Sequence, residues 1–151
     1  MSEKYTIQQA KTGKLIIKYF GKLQASVFLF TNGKLWNKWP GGYPIMVVQT
    51  KGAKTKKIRN IPLIYVHKDK LPILVASTGG MPKNPDWYYN VKANPEVKIT
   101  TKHGEDSFIA EELTKDQKKD LWPLICSFYP SYETYQKNTE REIPVFLCKA
   151  I

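Results

Sequence analysis

The sequence is poor in the residues that build cross-links and metal centres. Its 151 residues hold 2 cysteines and 2 histidines. Cys126 and Cys148 are too few for a disulfide framework, and no CxxC pair is present. His67 and His103 have no companion at ligand spacing, so no metal site is expected. Long apolar runs are missing as well: stretches such as Val27 to Phe30 fall far below the roughly 18 residues that argue a membrane span. The start, Met1-Ser2-Glu3-Lys4-Tyr5, lacks the apolar core of a signal peptide, which makes a reducing cytoplasm the expected compartment. Acid is short too, since 24 Lys and Arg against 13 Asp and Glu leave a formal net charge of +11. Such a field favours anionic partners (phosphorylated cofactors, acidic substrates, anionic lipid, nucleic acid) without choosing among them. Nucleic acid is the weakest of these, because no recognised binding module is present. Arginine is the scarcest cation: Arg59 and Arg141 stand alone among lysines. In such a chain an arginine marks a need for its planar, bidentate fork.

What is present fits one globular domain, residues 1–151, able to bury roughly two thirds of its unfolded surface. Residues 9–32 read as an amphipathic helix, with Leu15, Tyr19, Leu23 and Val27 at four-residue spacing and Lys11, Lys14, Lys18 and Lys22 on the other side. Packing of this helix on its own domain is the leading expectation, and a basic helix lying on anionic membrane is the alternative. Beyond Pro40-Gly41-Gly42 the period becomes that of strands, over 44–50, 58–67 and 71–77, with a hairpin turn at Lys68-Asp69-Lys70. Asn84-Pro85-Asp86 opens a short helix, with Pro85 suited to its first position. Strands at 96–101 and 106–112 flank His103-Gly104, and Thr114-Lys115-Asp116-Gln117 is a capping box for a helix to about Ser127. A short helix from Pro130 and Ser131 to Gln136 and a strand over 143–149 complete the chain. Six strands, mostly hairpin-linked, predict a mainly β (α+β) antiparallel barrel over about 44–149, with peripheral short helices.

Four segments carry candidate chemistry. Thr50 to Arg59 packs Lys51, Lys54, Lys56, Lys57 and Arg59 around Gly52 and Thr55 between two strands. A turn there offers N–H groups, a hydroxyl and cations to a phosphate, or is a solvated basic hairpin tip. Ser77-Thr78-Gly79-Gly80 ends an apolar strand, where glycines let a ligand approach the backbone or merely turn the chain. Trp87-Tyr88-Tyr89 follows, set against a ring system or filling the core. Tyr129, Tyr132 and Tyr135, three residues apart, line one face as hydrogen-bond or proton donors, or pack as an amphipathic face.

In order and spacing these segments resemble the deazaflavin-dependent nitroreductase family, small split-barrel proteins that bind coenzyme F-420, an 8-hydroxy-5-deazaflavin. The resemblance rests on Thr50-x-Gly52-x-Lys54-Thr55-x-x-x-Arg59-x-x-Pro62-Leu63-x-Tyr65, on Trp87-Tyr88-x-Asn90-x-x-Ala93-Asn94-Pro95, and on Leu121-Trp122-Pro123 through Tyr129-Pro130-x-Tyr132-x-x-Tyr135-Gln136 to Ile143-Pro144-Val145. It implies a six-stranded antiparallel split β-barrel and an oxidoreductase passing hydride from reduced coenzyme F-420 to a quinone, enone or nitroaromatic acceptor. Lys54 and Arg59 would then hold the coenzyme's phosphate and acidic tail, with Thr55 and Pro62 of the same motif also cofactor-binding; Ser77, Thr78, Gly79 and Gly80 would line the approach to the ring and its ribityl chain, and Trp87 would pack nearby. Tyr129, Tyr132 and Tyr135 would form the substrate wall, with Tyr132 orienting or protonating the acceptor. Homodimer formation and a peripheral place at the inner membrane face are further expectations. An FMN-binding split-barrel reductase and a non-enzymatic lipid or anionic-ligand binder are the alternatives. Three positions depart from the family pattern: Lys56 for a glycine of the phosphate turn, Thr78 for a lysine found in some members, and Ile64 for the tyrosine of nitro-drug-activating members.

Overall fold

The computed structural model describes residues 7–151, and the side chains of these except at 7–11, 14 and 17. Met1 to Tyr5, and the side chains of Lys11 and Lys14, lie outside the described residues.

Eight strands carry the fold: β1 (Lys38–Trp39), β2 (Tyr43–Lys51), β3 (Ile58–Ile64), β4 (Val66–Lys68), β5 (Leu71–Val75), β6 (Glu96–Thr101), β7 (Gly104–Glu112) and β8 (Val145–Ala150). They are joined with α1 (Ile7–Phe30), α2 (Asp86–Ala93), α3 (Lys115–Phe128) and α4 (Ser131–Asn138). All pairings are antiparallel, in the order β1-β2-β6-β7-β8-β5-β4, with β3 paired to the free side of β2. The six expected strands are recovered once the two-residue β1 is set aside and β3 and β4 are taken as one bent strand. At the bend the Tyr65 N–H still donates to the Pro44 carbonyl at 2.9 Å, one step beyond the Ile45–Ile64 pair, and Val66 then pairs with Ile73 of β5. One stretch of chain thus reaches both ends of the sheet and curls it into the split barrel.

Local signals explain the corners. Asp69 and Lys70 both take positive φ, 49° and 67°, as a two-residue hairpin of primed type requires. Thr114 and Gln117 close the capping box reciprocally, at 3.2 and 2.9 Å. Pro85 stands as the N-cap of α2, with φ −65° and ψ 155°, one position earlier than expected. The interior holds Met46, Val48, Leu74, Val97, Ile99, Phe146 and Cys148 on one side of the barrel wall. A second cluster joins Ile73, Val75, Ile125, Ile143 and Val145 to Tyr129 and Tyr132 under α3 and α4. Burial pushes the Cys148 thiol up to about 12 and the Cys126 thiol to about 11, so both stay protonated at neutral pH.

Helix α1 packs on its own domain, but by another face than the spacing predicts. Gln24, Ala25 and Phe28 are buried, whereas Leu15, Ile16, Tyr19 and Leu23 are more than half exposed. Gly21 decides the face: a Cβ there would lie 3.5 Å from the Pro62 ring, so the helix axis approaches β3 closely. The four-residue apolar stripe is left pointing outward with Lys18 and Lys22.

Candidate functional site

The basic segment forms the turn between β2 and β3. Gly52 and Lys57 close it (Gly52 N–H to Lys57 carbonyl, 2.8 Å), with the Lys56 N–H on the Gly52 carbonyl at 3.0 Å. The Lys57 N–H donates to Thr55 Oγ1 at 3.3 Å. Thr50 pairs with Arg59 across the ladder, which brings the arginine back over the turn. A Cβ on Gly52 would meet Thr55 Oγ1 at 2.6 Å and Arg59 Nε at 3.6 Å. Only glycine fits the floor of the turn, because Thr55 Oγ1 takes the space a Cβ would fill, with Arg59 Nε beside it. Lys54, Lys56 and Lys57 stand exposed around it. Lys56 takes φ 60° at the place where the family pattern has glycine. A left-handed lysine costs about 1 kcal/mol, retained here together with an added charge.

Ser77 to Gly80 form a second turn. Ser77 is right-handed (φ −78°, ψ −39°), and Thr78, Gly79 and Gly80 follow at φ 47°, 62° and 79°. The right-handed to left-handed step turns successive N–H groups toward one concave side, an arrangement that receives anionic or carbonyl oxygens. Among the described residues, Thr78 Oγ1 is buried here with no hydrogen-bond partner, as is Asn138 Oδ1 on α4. A buried orphan acceptor is costly unless something donates to it.

Helix α2 joins the two turns. The chain leaves the 77–80 turn, enters α2 after Pro85, and Asn90 Oδ1 accepts the Ala53 N–H at 3.0 Å. Asn94 Nδ2 donates to the Lys51 carbonyl at 3.4 Å. Asn90 and Asn94 are thus positioning residues absent from the expected site, although both stand in the motif run that follows Trp87. Trp87 itself is 8% exposed, with its ring centroid 6.1 Å from that of Phe146. Of its two expected roles the structure shows the core-filling one; its indole does not line an open face. Pro62 lies under Gly21 of α1, at the middle of β3, apart from the two turns.

The tyrosines come together at the start of α4. Tyr129 and Tyr135 share a hydroxyl–hydroxyl hydrogen bond of 3.1 Å, and Tyr129 meets Tyr132 edge-on at 4.9 Å between centroids. Tyr43 of β2 closes on Tyr129 at 4.8 Å, a member of the wall that its distance in sequence hides. Tyr132 is 4% exposed and Tyr135 is half-buried. Burial, with Tyr129 and Tyr135 adding to it, pushes the Tyr132 phenol well above its ordinary value, so it keeps its proton. The wall touches the second turn directly, since a Cβ on Gly80 would lie 2.7 Å from the Tyr135 carbonyl and 3.3 Å from Asn138 Cβ.

Residues 21–150 match the family model described as F420H(2)-dependent quinone reductase. The F420H(2)-dependent quinone reductase of Mycobacterium tuberculosis (strain ATCC 25618 / H37Rv) is 34% identical over 128 residues, covering 82% of this chain and 85% of that protein. Among solved structures, an F420-H2 dependent reductase (FDR-A) is 41% identical with a TM-score of 0.63, covering 70% of this chain and 94% of that one. A structure described as a domain-swapped dimer is 36% identical with a TM-score of 0.68, covering 83% of this chain and 94% of that one.

Proposed function

The chain belongs to the F420H(2)-dependent quinone reductase family, and from that premise we propose that it transfers hydride from reduced coenzyme F-420 to a quinone. The observation that carries this reading is the packing of the 77–80 turn on the backbone of Tyr135, which sets a surface suited to a ring and its polar chain beside a wall of phenols. The residues fit the coenzyme: the Gly52 turn with Thr55 and Arg59 suits a phosphate, and the orphan Thr78 hydroxyl awaits a donor. The same turn would hold the phosphate of FMN, so the family match, not the turn, favours the deazaflavin. Bound there, the reduced deazaflavin supplies the hydride. The protein binds and orients both partners, and the wall excludes water from between them.

Tyr132, 4% exposed and packed edge-on against Tyr129 and Tyr135, is the positioning residue of the wall that would face the acceptor. Its raised pKa makes it a poor acid at neutral pH, so it holds the wall in place rather than delivering a proton. Tyr132→Phe should lower kcat by about tenfold while the dissociation constant of the coenzyme, read by calorimetry, stays within about twofold. Unchanged turnover would remove the hydroxyl from the mechanism.

The outward stripe of α1 supports the pairing of two copies, in keeping with the domain-swapped dimer among the solved relatives. An anionic membrane surface is its other fitting occupant, because Lys18 and Lys22 flank the apolar residues. Leu23→Glu should halve the molar mass seen by light scattering if two copies meet there. Loss of sedimentation with anionic vesicles, at unchanged mass, would assign the face to membrane instead.

A further inference from the structure

Arg141 commits four of its five guanidinium N–H groups to one short segment. Nε donates to the Met81 carbonyl at 2.9 Å, Nη2 to the Ser77 carbonyl at 2.7 Å, and Nη1 to the Ala76 carbonyl at 3.1 Å and to Asn84 Oδ1 at 2.7 Å. These acceptors bracket the 77–80 turn: Ala76 and Ser77 lie where the chain enters it, Met81 where it leaves, and Asn84 just before α2. We propose that Arg141 is the positioning residue of this turn, a clamp that holds its strained backbone in the form that receives the coenzyme.

The turn needs such a device. Thr78, Gly79 and Gly80 are left-handed in succession, and internal bonds are few: the Gly80 N–H on the Ser77 carbonyl at 2.9 Å and the Met81 N–H on the Thr78 carbonyl at 3.1 Å. Strained backbone persists only where its surroundings over-determine it. A planar guanidinium reaches carbonyls on both sides of the turn at once, whereas a lysine ammonium is a point donor without a fixed fork. That explains one of the two arginines in a chain otherwise supplied with lysine.

The base of the clamp is itself fixed. The Arg141 carbonyl accepts from Gln136 Nε2 at 2.9 Å, and Gln136 Oε1 accepts from Lys118 Nζ at 2.7 Å and from the Ile143 N–H at 3.1 Å. Lys118, buried on α3 and bonded to Glu142 at 2.8 Å, anchors that glutamine. A polar chain therefore runs from α3 through α4 to the turn, on the side where α4 also carries Tyr132 and Tyr135.

The role assigned to Arg141 rests on the coenzyme reading of the turn, and the experiment separates the two. Wild type, Arg141→Lys and Arg141→Ala are compared by amide hydrogen exchange of the free protein and by calorimetric titration with oxidised coenzyme F-420. Exchange of Gly80 and Met81 should quicken by about tenfold or more in both variants, while the β2 and β8 amides keep their protection. Coenzyme affinity should fall by about 10- to 100-fold, as expected for lost charge-assisted hydrogen bonds. Millimolar guanidinium should restore part of that affinity to Arg141→Ala and none to Arg141→Lys. Equal turn exchange and equal affinity would overturn the clamp, and so would loss of protection spread evenly over the barrel. Wild type that binds no coenzyme would instead overturn the functional reading, while the exchange data still decide whether Arg141 holds the turn.

Discussion

Arg59→Ala is expected to weaken binding of coenzyme F-420 by about 10- to 100-fold at low salt, the range for losing charge-assisted hydrogen bonds to a phosphate. The magnitude follows from placement. The backbone of Arg59 is set by its ladder pairing with Thr50, and its Nε lies beside Thr55 Oγ1 over Gly52. A guanidinium can form a two-point contact with a phosphate, whereas a lysine ammonium offers a single point charge. Lys54 stands exposed on the same turn with its full rotamer freedom, so Lys54→Ala should cost no more than about fivefold, as for an exposed ion pair. Both losses should shrink when salt is raised, because the turn is open to solvent and its field is screened. Calorimetric titration at two ionic strengths checks all of this. An Arg59→Ala protein that binds as tightly as wild type at low salt would remove the phosphate from the Gly52 turn.

That the two segments form turns was legible because short runs of residues dictate it. A glycine between cations, a run of hydroxyl and glycines at a strand end, and a capping box each act within a few residues. The strand period likewise placed the six barrel strands close to where they lie, the second of them split at Tyr65. What periodicity could not supply was which of two competing faces a helix buries. On α1 the four-residue apolar stripe is stronger in sequence than the row of Gly21, Gln24, Ala25 and Phe28, yet the small residues win, because they let the helix approach Pro62 closely. The bend at Tyr65 was hidden for a similar reason: Tyr65 still bonds Pro44 of β2 while Val66 pairs with Ile73 of β5, and nothing within the run itself marks the change of partner. Trp87 shows the limit for single side chains. An aromatic beside a ligand loop reads the same whether its ring faces the cleft or Phe146. Asn90 and Arg141 act through bonds to residues 37 and up to 65 positions distant, and only the scarcity of arginine hinted at the second.

Gly80→Ala should be the most damaging small change in the molecule, and Gly79→Ala beside it a mild one. Both glycines are left-handed, at φ 79° and 62°, so each alanine pays a backbone penalty of about 1 kcal/mol. Their surroundings then separate them. At Gly79 a Cβ meets nothing within 4 Å, while at Gly80 it would lie 2.7 Å from the Tyr135 carbonyl and 3.0 Å from Tyr135 Cα. Those are backbone atoms of α4, so the collision cannot be relieved by a side-chain rotation; the turn or the helix must move. Overpacking of this kind adds about 1–3 kcal/mol. At about 2–4 °C per kcal/mol for a chain of this size, Gly80→Ala should lower Tm by roughly 5–15 °C and Gly79→Ala by only a few degrees. The functional effect should exceed the loss of stability, because the displaced pair is the turn proposed for the coenzyme and the helix that bears Tyr132 and Tyr135. At a temperature where both variants are folded, Gly80→Ala should lose coenzyme affinity and kcat together, whereas Gly79→Ala keeps most of both. Scanning calorimetry and steady-state kinetics with a soluble quinone test the pair. Equal, small effects at the two positions would mean that the turn and the tyrosine helix do not bear on each other, and that coenzyme and acceptor surfaces are not set side by side by this contact.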